Sequence, residues 1–196
     1  GVSEGAAKYM GGYKTVVDMV KNLMEYLNIT IPVAIHLDHG SSYESAVSAI
    51  DAGFTSVMID KSREDLETNI DITKKVVDYA HERGVVVEAE LGTLAGIEDE
   101  VSVDSANAKF TDPDQAVEFI KRTGCDSLAI AIGTSHGAYK FKGTPNLRFD
   151  ILEEIISKTN NFPIVLHGAS SVIPKYLNMC NQYGGEIPGA KGVPDE

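Results

Sequence analysis

Three short apolar runs each lead into a histidine followed by glycine. Ile31-Pro32-Val33-Ala34-Ile35 precedes His36-Leu37-Asp38-His39-Gly40. Ala129-Ile130-Ala131-Ile132 precedes Gly133-Thr134-Ser135-His136-Gly137, and Pro163-Ile164-Val165-Leu166 precedes His167-Gly168. Packing alone does not produce this repeat. Imidazoles from three strand ends can hold a zinc ion and leave coordination positions open for water or substrate. His39, His136 and His167 are therefore candidate metal ligands. Any one of them alone reads as a hydrogen-bonded core or rim histidine; the three matching positions make the case together.

Carboxylates fall at comparable places. Asp60 closes Ser56-Val57-Met58-Ile59, and Glu88 and Glu90 sit two apart in Val85-Val86-Val87-Glu88-Ala89-Glu90. Period-2 spacing puts both glutamates on one face of a strand. Carboxylates beside a divalent ion either ligate it or hold a ligand histidine in one tautomer; polar rim residues bonded to loop amides are the alternative. Asp38, next to His39, and His36 complete a cluster of ionisable groups that is costly to bury without partners. His36 shares a strand face with Asp38 and is given no chemistry. Gly133–Gly137 and Gly168-Ala169-Ser170-Ser171 are turns whose backbone amides suit an oxyanion. Lys140, Lys142 and Lys191 are the nearest sources of local positive charge.

The elements that must carry these residues alternate regularly. Apolar periodicity predicts helices over Tyr13–Tyr26, Tyr43–Ala52, Asp65–Arg83, Asp112–Thr123, Asp150–Lys158 and, weakly, Lys175–Tyr183. Asp112-Pro113-Asp114-Gln115 is a capped helix start, and Gly53, Gly84 and Gly124 are helix stops. Short, continuous apolar strands are predicted at Ile31–Leu37, Phe54–Ile59, Val85–Glu90, Ser127–Ile132 and Phe162–Leu166, with the end of another at Gly1–Ser3. Strands of this kind are buried on both faces, as in parallel sheets. Thr93–Phe110 has no sustained period and is read as a long loop of the kind that forms lids. Polar residues collected from many strand ends favour a (β/α)8 barrel over an open sheet, whose ligands gather at one switch point. About six of the eight strands are expected at least in part, in a single catalytic domain over residues 1–196.

Size and charge narrow the classes. A chain of 196 residues has room for a sizeable core. No apolar run is long enough to span a bilayer, and no signal peptide is visible. The formal net charge of −12, without a basic stripe, argues against a nucleic-acid partner. Cys125 and Cys180 are far apart and lack Cys-x-x-Cys spacing, which argues against a disulfide framework and a zinc ribbon; both are expected as buried or half-buried thiols. A cytoplasmic location is expected. The start at Gly1 and the end at Lys191–Glu196 lead us to expect missing pieces at both ends.

Pro32–Gly40, Ser56–Asp60, Val87–Gly92, Gly133–Gly137 and Val165–Ser170, in this order along essentially the whole chain, resemble the metal-dependent class II fructose-1,6-bisphosphate aldolases. The resemblance implies reversible cleavage of fructose 1,6-bisphosphate to dihydroxyacetone phosphate and glyceraldehyde 3-phosphate. It implies that His39, His136 and His167 hold catalytic zinc, and that Asp60 and Glu90 mark a second divalent-metal position shared with His39. A monovalent cation is also implied. Asp38 would exchange the proton of the substrate C4 hydroxyl, and Glu98 would be the mobile-loop acid. Gly137, Gly168, Ala169 and Ser170 would bind the phosphate of the dihydroxyacetone phosphate half, and Ser3 the other phosphate. A homodimer or homotetramer acting on a small sugar bisphosphate is implied. Tagatose 1,6-bisphosphate as substrate, or an inactive metal-binding relative, are the alternatives. The sequence departs from the family in lacking its first strand and an Asn-x-Asp-Thr segment, and in the charged stretch Asp60–Leu66.

Overall fold

The computed structural model describes residues 1–94, 96–98, 101–103, 109–137, 147–170, 174–185 and 190, with backbone alone at 96–98 and 101–103. Strands and helices alternate through two compact units. The first comprises Gly1–Leu91 and Val117–Leu128, the second Gly92–Ala116 and Ala129–Glu196.

The first unit runs β1 (Val2–Ser3), α1 (Glu4–Tyr9), α2 (Tyr13–Tyr26), β2 (His36–Gly40), α3 (Tyr43–Ala52), β3 (Ser56–Ile59), α4 (Leu66–His81) and β4 (Val86–Leu91). Its strands lie in chain order, and β1–β2, β2–β3 and β3–β4 are parallel pairs. The start of β7 (Ser127–Ile130) follows β4, joined where Asp126 N–H donates to the Val87 carbonyl at 2.8 Å. The strands bury Leu37, Val57, Met58, Ile59, Val87 and Ala89, and the helices cover them with Ala46, Ala49, Val76, Val77 and Ala80. Each large apolar side chain taken from water contributes about 1.5–3 kcal/mol, and this burial holds the strand ends in register.

Helix starts follow local chemistry. Ser42 Oγ accepts the Ser45 N–H at 3.1 Å, and Asp65 Oδ1 accepts that of Thr68 at 3.0 Å. Helix α1 is an addition to the expected polar turn: Ser3 Oγ accepts the Ala6 N–H at 3.3 Å and opens a helix too short to show a period. In α2 only Val16 and Val17 are buried; Met19, Leu23 and Tyr26, and Leu27 just after it, stay exposed. The predicted strand Ile31–Leu37 is displaced. β2 begins at His36, so the ionisable cluster lies within the strand rather than after it. Pro32 has no N–H to give a ladder, and Ile31 and Val33 are exposed.

The second unit contains the antiparallel hairpin of β5 (Gly96–Glu98) and β6 (Val101–Val103), the end of β7, α6 (Phe149–Lys158), β8 (Ile164–Val165) beside β7, and α7 (Pro174–Gln182). The hairpin replaces the expected structureless loop, since strands of three residues are too short to reveal alternation in a sequence. A bridge between Thr93 and Lys109 closes its base. Helix α5 (Pro113–Thr123) starts as predicted: Asp112 Oδ1 accepts the N–H groups of Asp114 and Gln115, both at 2.9 Å. Burial pushes the Cys125 thiol up to about 11, while Cys180 on α7 is exposed rather than half-buried. No helix among the described residues is long and apolar enough to cross a membrane.

Candidate metal centre

The first unit gathers its chemistry at the C-terminal ends of β2, β3 and β4. Leu37 pairs with Val57, but Gly40 pairs with Ile59, so β2 carries one residue more than β3 across this interval. A bulge of this kind breaks strict alternation and re-aims a side chain. His39 takes the adjustment with φ 50°, a left-handed backbone that costs a non-glycine residue about 1–3 kcal/mol. Asp38 Oδ1 consequently lies 3.9 Å from His39 Nε2, although the two are consecutive in a strand. Gly40 makes the close approach possible: a Cβ there would lie 2.5 Å from the Met58 carbonyl oxygen and 2.9 Å from Leu37 Cδ2.

His39 Nδ1 lies 3.1 Å from Asp60 Oδ2 and 3.6 Å from Glu90 Oε2. Without a cation an Nδ1–H can donate to Asp60; a cation held between these groups would take the place of that proton. Asp60 Oδ1 accepts the N–H of Ser62 at 3.0 Å and its hydroxyl at 2.7 Å. Burial raises the Asp60 carboxyl, but the hydrogen bonds from His39 and Ser62 outweigh it and hold the group at about 2. Glu90 is 2% exposed, and a carboxylate this deep calls for positive charge beside it. One ligand atom each from His39, Asp60 and Glu90 lies within 4.8 Å of the others. One nitrogen and two carboxylate oxygens form a donor set that suits a divalent cation.

The second unit pairs two more of the predicted histidines. Thr134 Oγ1 donates to the His167 carbonyl at 2.6 Å. Gly168, at φ 62°, packs directly on the preceding loop: a Cβ there would sit 2.5 Å from the carbonyl carbon and oxygen of Ser135 and 3.0 Å from the nitrogen of His136. Backbone lies on backbone, and the rings of His136 and His167 come to 6.0 Å between centroids. Gly137, also at positive φ, follows His136. Ala169 is half-buried and Ser170 exposed.

Asp38, His39, Asp60 and Glu90 thus meet within one unit, and His136, His167 and Gly168 within the other. Ser3 stands opposite Asp38 in the β1–β2 register, its hydroxyl capping α1. Glu98 lies in β5, but its side chain is outside the described residues, as are Lys140, Lys142, Ser171 and Lys191. His36 Nδ1 is 2.7 Å from Ser56 Oγ, a pairing within the sheet, and Glu88 is half-buried. His81, read as solvent-facing, is exposed and lies 2.9 Å from Asp126. Two partners escaped the sequence reading. Glu4 accepts the Ser41 N–H at 2.6 Å and its hydroxyl at 3.0 Å, pinning the turn after β2. Asn69, on the core stripe of α4, donates to the Glu90 carbonyl at 2.9 Å. The helical period passing through Asn69 and Thr73 was the available signal; Ile72, expected inward, is only half-buried.

The sequence profile of the family Fructose-bisphosphate aldolase class-II matches residues 1–186. The chain belongs to the class II fructose-bisphosphate aldolase family. Its six strands β1, β2, β3, β4, β7 and β8 are the predicted share of a (β/α)8 barrel. A fructose-bisphosphate aldolase of Staphylococcus epidermidis is 55% identical over 184 residues, which are 94% of this chain and 63% of that protein. One from Geobacillus stearothermophilus is 58% identical over 172 residues, 88% of this chain and 58% of the relative. This class II family member therefore spans less than two thirds of the length of these relatives. Among solved structures, the YdjI aldolase of Escherichia coli K12 superposes with a TM-score of 0.68 at 35% identity, covering 90% of this chain and 58% of that one.

Proposed function

We propose that the chain forms the catalytic domain of a metal-dependent aldolase that cleaves fructose 1,6-bisphosphate reversibly to dihydroxyacetone phosphate and glyceraldehyde 3-phosphate. The observation that carries this reading is the His39–Asp60–Glu90 group at the ends of adjacent parallel strands. The names of the relatives favour fructose bisphosphate as the sugar. In this reading His39, His136 and His167 hold zinc, and Asp60 and Glu90 with His39 offer a second divalent position. A bound zinc ion supplies Lewis acidity toward the substrate ketone, which stabilises negative charge on the dihydroxyacetone phosphate half.

The remaining steps belong to the chain. Asp38 takes the C4 hydroxyl proton as the C3–C4 bond breaks, releasing the aldehyde half. Glu98 then delivers a proton to C3 of the other half; in the synthetic direction both transfers reverse. A lid holding Glu98 would close over the site and keep stray water from the carbanion. Gly137, Gly168, Ala169 and Ser170 hold one phosphate through backbone amides, and Ser3 contacts the other. A monovalent cation, a homodimeric or homotetrameric state and a cytoplasmic location complete the proposal.

The test is Asp38→Ala. Cleavage, followed by coupled reduction of the dihydroxyacetone phosphate released, should fall about 10²–10⁴-fold, with metal content unchanged. Loss of metal instead would make Asp38 a ligand and overturn its assigned role.

A further inference from the structure

Helix α4 turns a stripe of Asn69, Ile70, Thr73, Val76, Val77 and Ala80 toward the sheet. Two members are polar and almost wholly buried, Asn69 at 1% exposure and Thr73 at 0%. A buried amide in an apolar stripe is expensive unless its hydrogen bonds are made. Here both are. Asn69 Nδ2 donates to the backbone carbonyl of Glu90 at 2.9 Å, and Thr73 Oγ1 donates to Asn69 Oδ1 at 3.1 Å. The Glu90 carbonyl fixes which way the amide faces, because reversing it would set acceptor against acceptor, and the threonine hydroxyl satisfies the amide oxygen.

The carbonyl that receives this bond belongs to the residue whose carboxylate stands 3.6 Å from His39. Helix α4 is capped by Asp65 and buried along one face. A hydrogen bond from its core face to the Glu90 peptide therefore ties the end of β4 to this helix. An apolar pair at these positions would pack the core as well, without the cost of desolvating an amide and a hydroxyl. The polar pair acts instead on the Glu90 peptide.

We infer that Asn69, supported by Thr73, is a positioning residue that holds the Glu90 carboxylate in place for a divalent cation at the His39–Asp60–Glu90 group. The inference rests on the metal reading of that group. Loss of an outer partner of a metal ligand typically weakens metal affinity about 10–100-fold.

The experiment titrates the full chain with Co²⁺ alone, comparing wild type, Glu90→Gln, Asn69→Leu, Thr73→Val and Val76→Ala, and records the melting temperature of each metal-free chain. Glu90→Gln defines the component of Co²⁺ binding that depends on this group. Asn69→Leu and Thr73→Val should weaken that component at least about tenfold. Val76→Ala, a core truncation on the same stripe, should lower the melting temperature and leave Co²⁺ affinity unchanged. If Glu90→Gln weakens binding while Asn69→Leu and Thr73→Val alter only the melting temperature, the pair is structural and the inference is overturned. If Co²⁺ binding does not respond to Glu90→Gln, the metal reading itself fails and the inference with it. Should Asn69→Leu not fold, Thr73→Val decides, because it keeps the amide and removes only the hydroxyl bonded to its oxygen.

Discussion

His39 is the residue on which most of the geometry converges. Its left-handed backbone, the extra residue in β2 and the close contact of Gly40 with Met58 are one local device that places the imidazole between Asp38 and the Asp60–Glu90 pair. Residue types announced this cluster in the sequence: a histidine and three carboxylates at predicted strand ends. The bulge did not announce itself, because strand alternation assumes a regular ladder and the added residue is defined only by the partner strand. Asn69 was hidden for a related reason, since a polar residue on a helix reads as surface until the stripe is traced through it. A separate prediction at this scale concerns Cys125. Burial raises its thiol to about 11, from an ordinary value of 9.0. The folded state thus favours the protonated thiol, and the contribution is complete below pH 9 and lost as pH rises toward 11. The unfolding free energy of the chain should fall by roughly 2–3 kcal/mol more over that interval than it does in Cys125→Ala. In the native chain near pH 8 a thiol reagent should label Cys180 alone, with Cys125 reacting only after denaturation.

At the scale of elements, the helices were the most legible. Asp112, Ser42 and Asp65 each precede an apolar period and each accept an N–H of the first turn. Strands were found in the right order with shifted bounds, because four to six apolar residues fix the presence of a strand better than its hydrogen-bonded limits. Ladder partners set those limits, and β2 begins at His36 because Ser56 and Val57 stand opposite His36 and Leu37. The β5–β6 hairpin was unreadable, since its pairing exists only between two three-residue segments. The contact between the loops of β7 and β8 gives a prediction at this scale. Gly168→Ala puts a Cβ 2.5 Å from the Ser135 carbonyl and adds a side chain at φ 62°. It should cost about 1–3 kcal/mol, seen as a lower midpoint in denaturant, and should part the His136 and His167 rings. A zinc titration of the variant should show weakened binding.

For the molecule as a whole, a chain of net charge −12 would have to concentrate positive potential locally to take the sugar bisphosphate proposed above. A divalent cation held by the His39–Asp60–Glu90 group would supply it. The regular alternation of strands and helices, and the polar residues collected at strand ends, made the fold class legible without the structure. How residues far apart in sequence meet was less so, because it depends on sheet register and on backbone packing such as Gly168 against Ser135. The most direct measurement is release of dihydroxyacetone phosphate from fructose 1,6-bisphosphate by the chain before and after treatment with a chelator, followed by added zinc. Cleavage should cease in the chelator and return with zinc. Cleavage that persists in the chelator, or that fails at every zinc concentration, would contradict a metal-dependent aldolase.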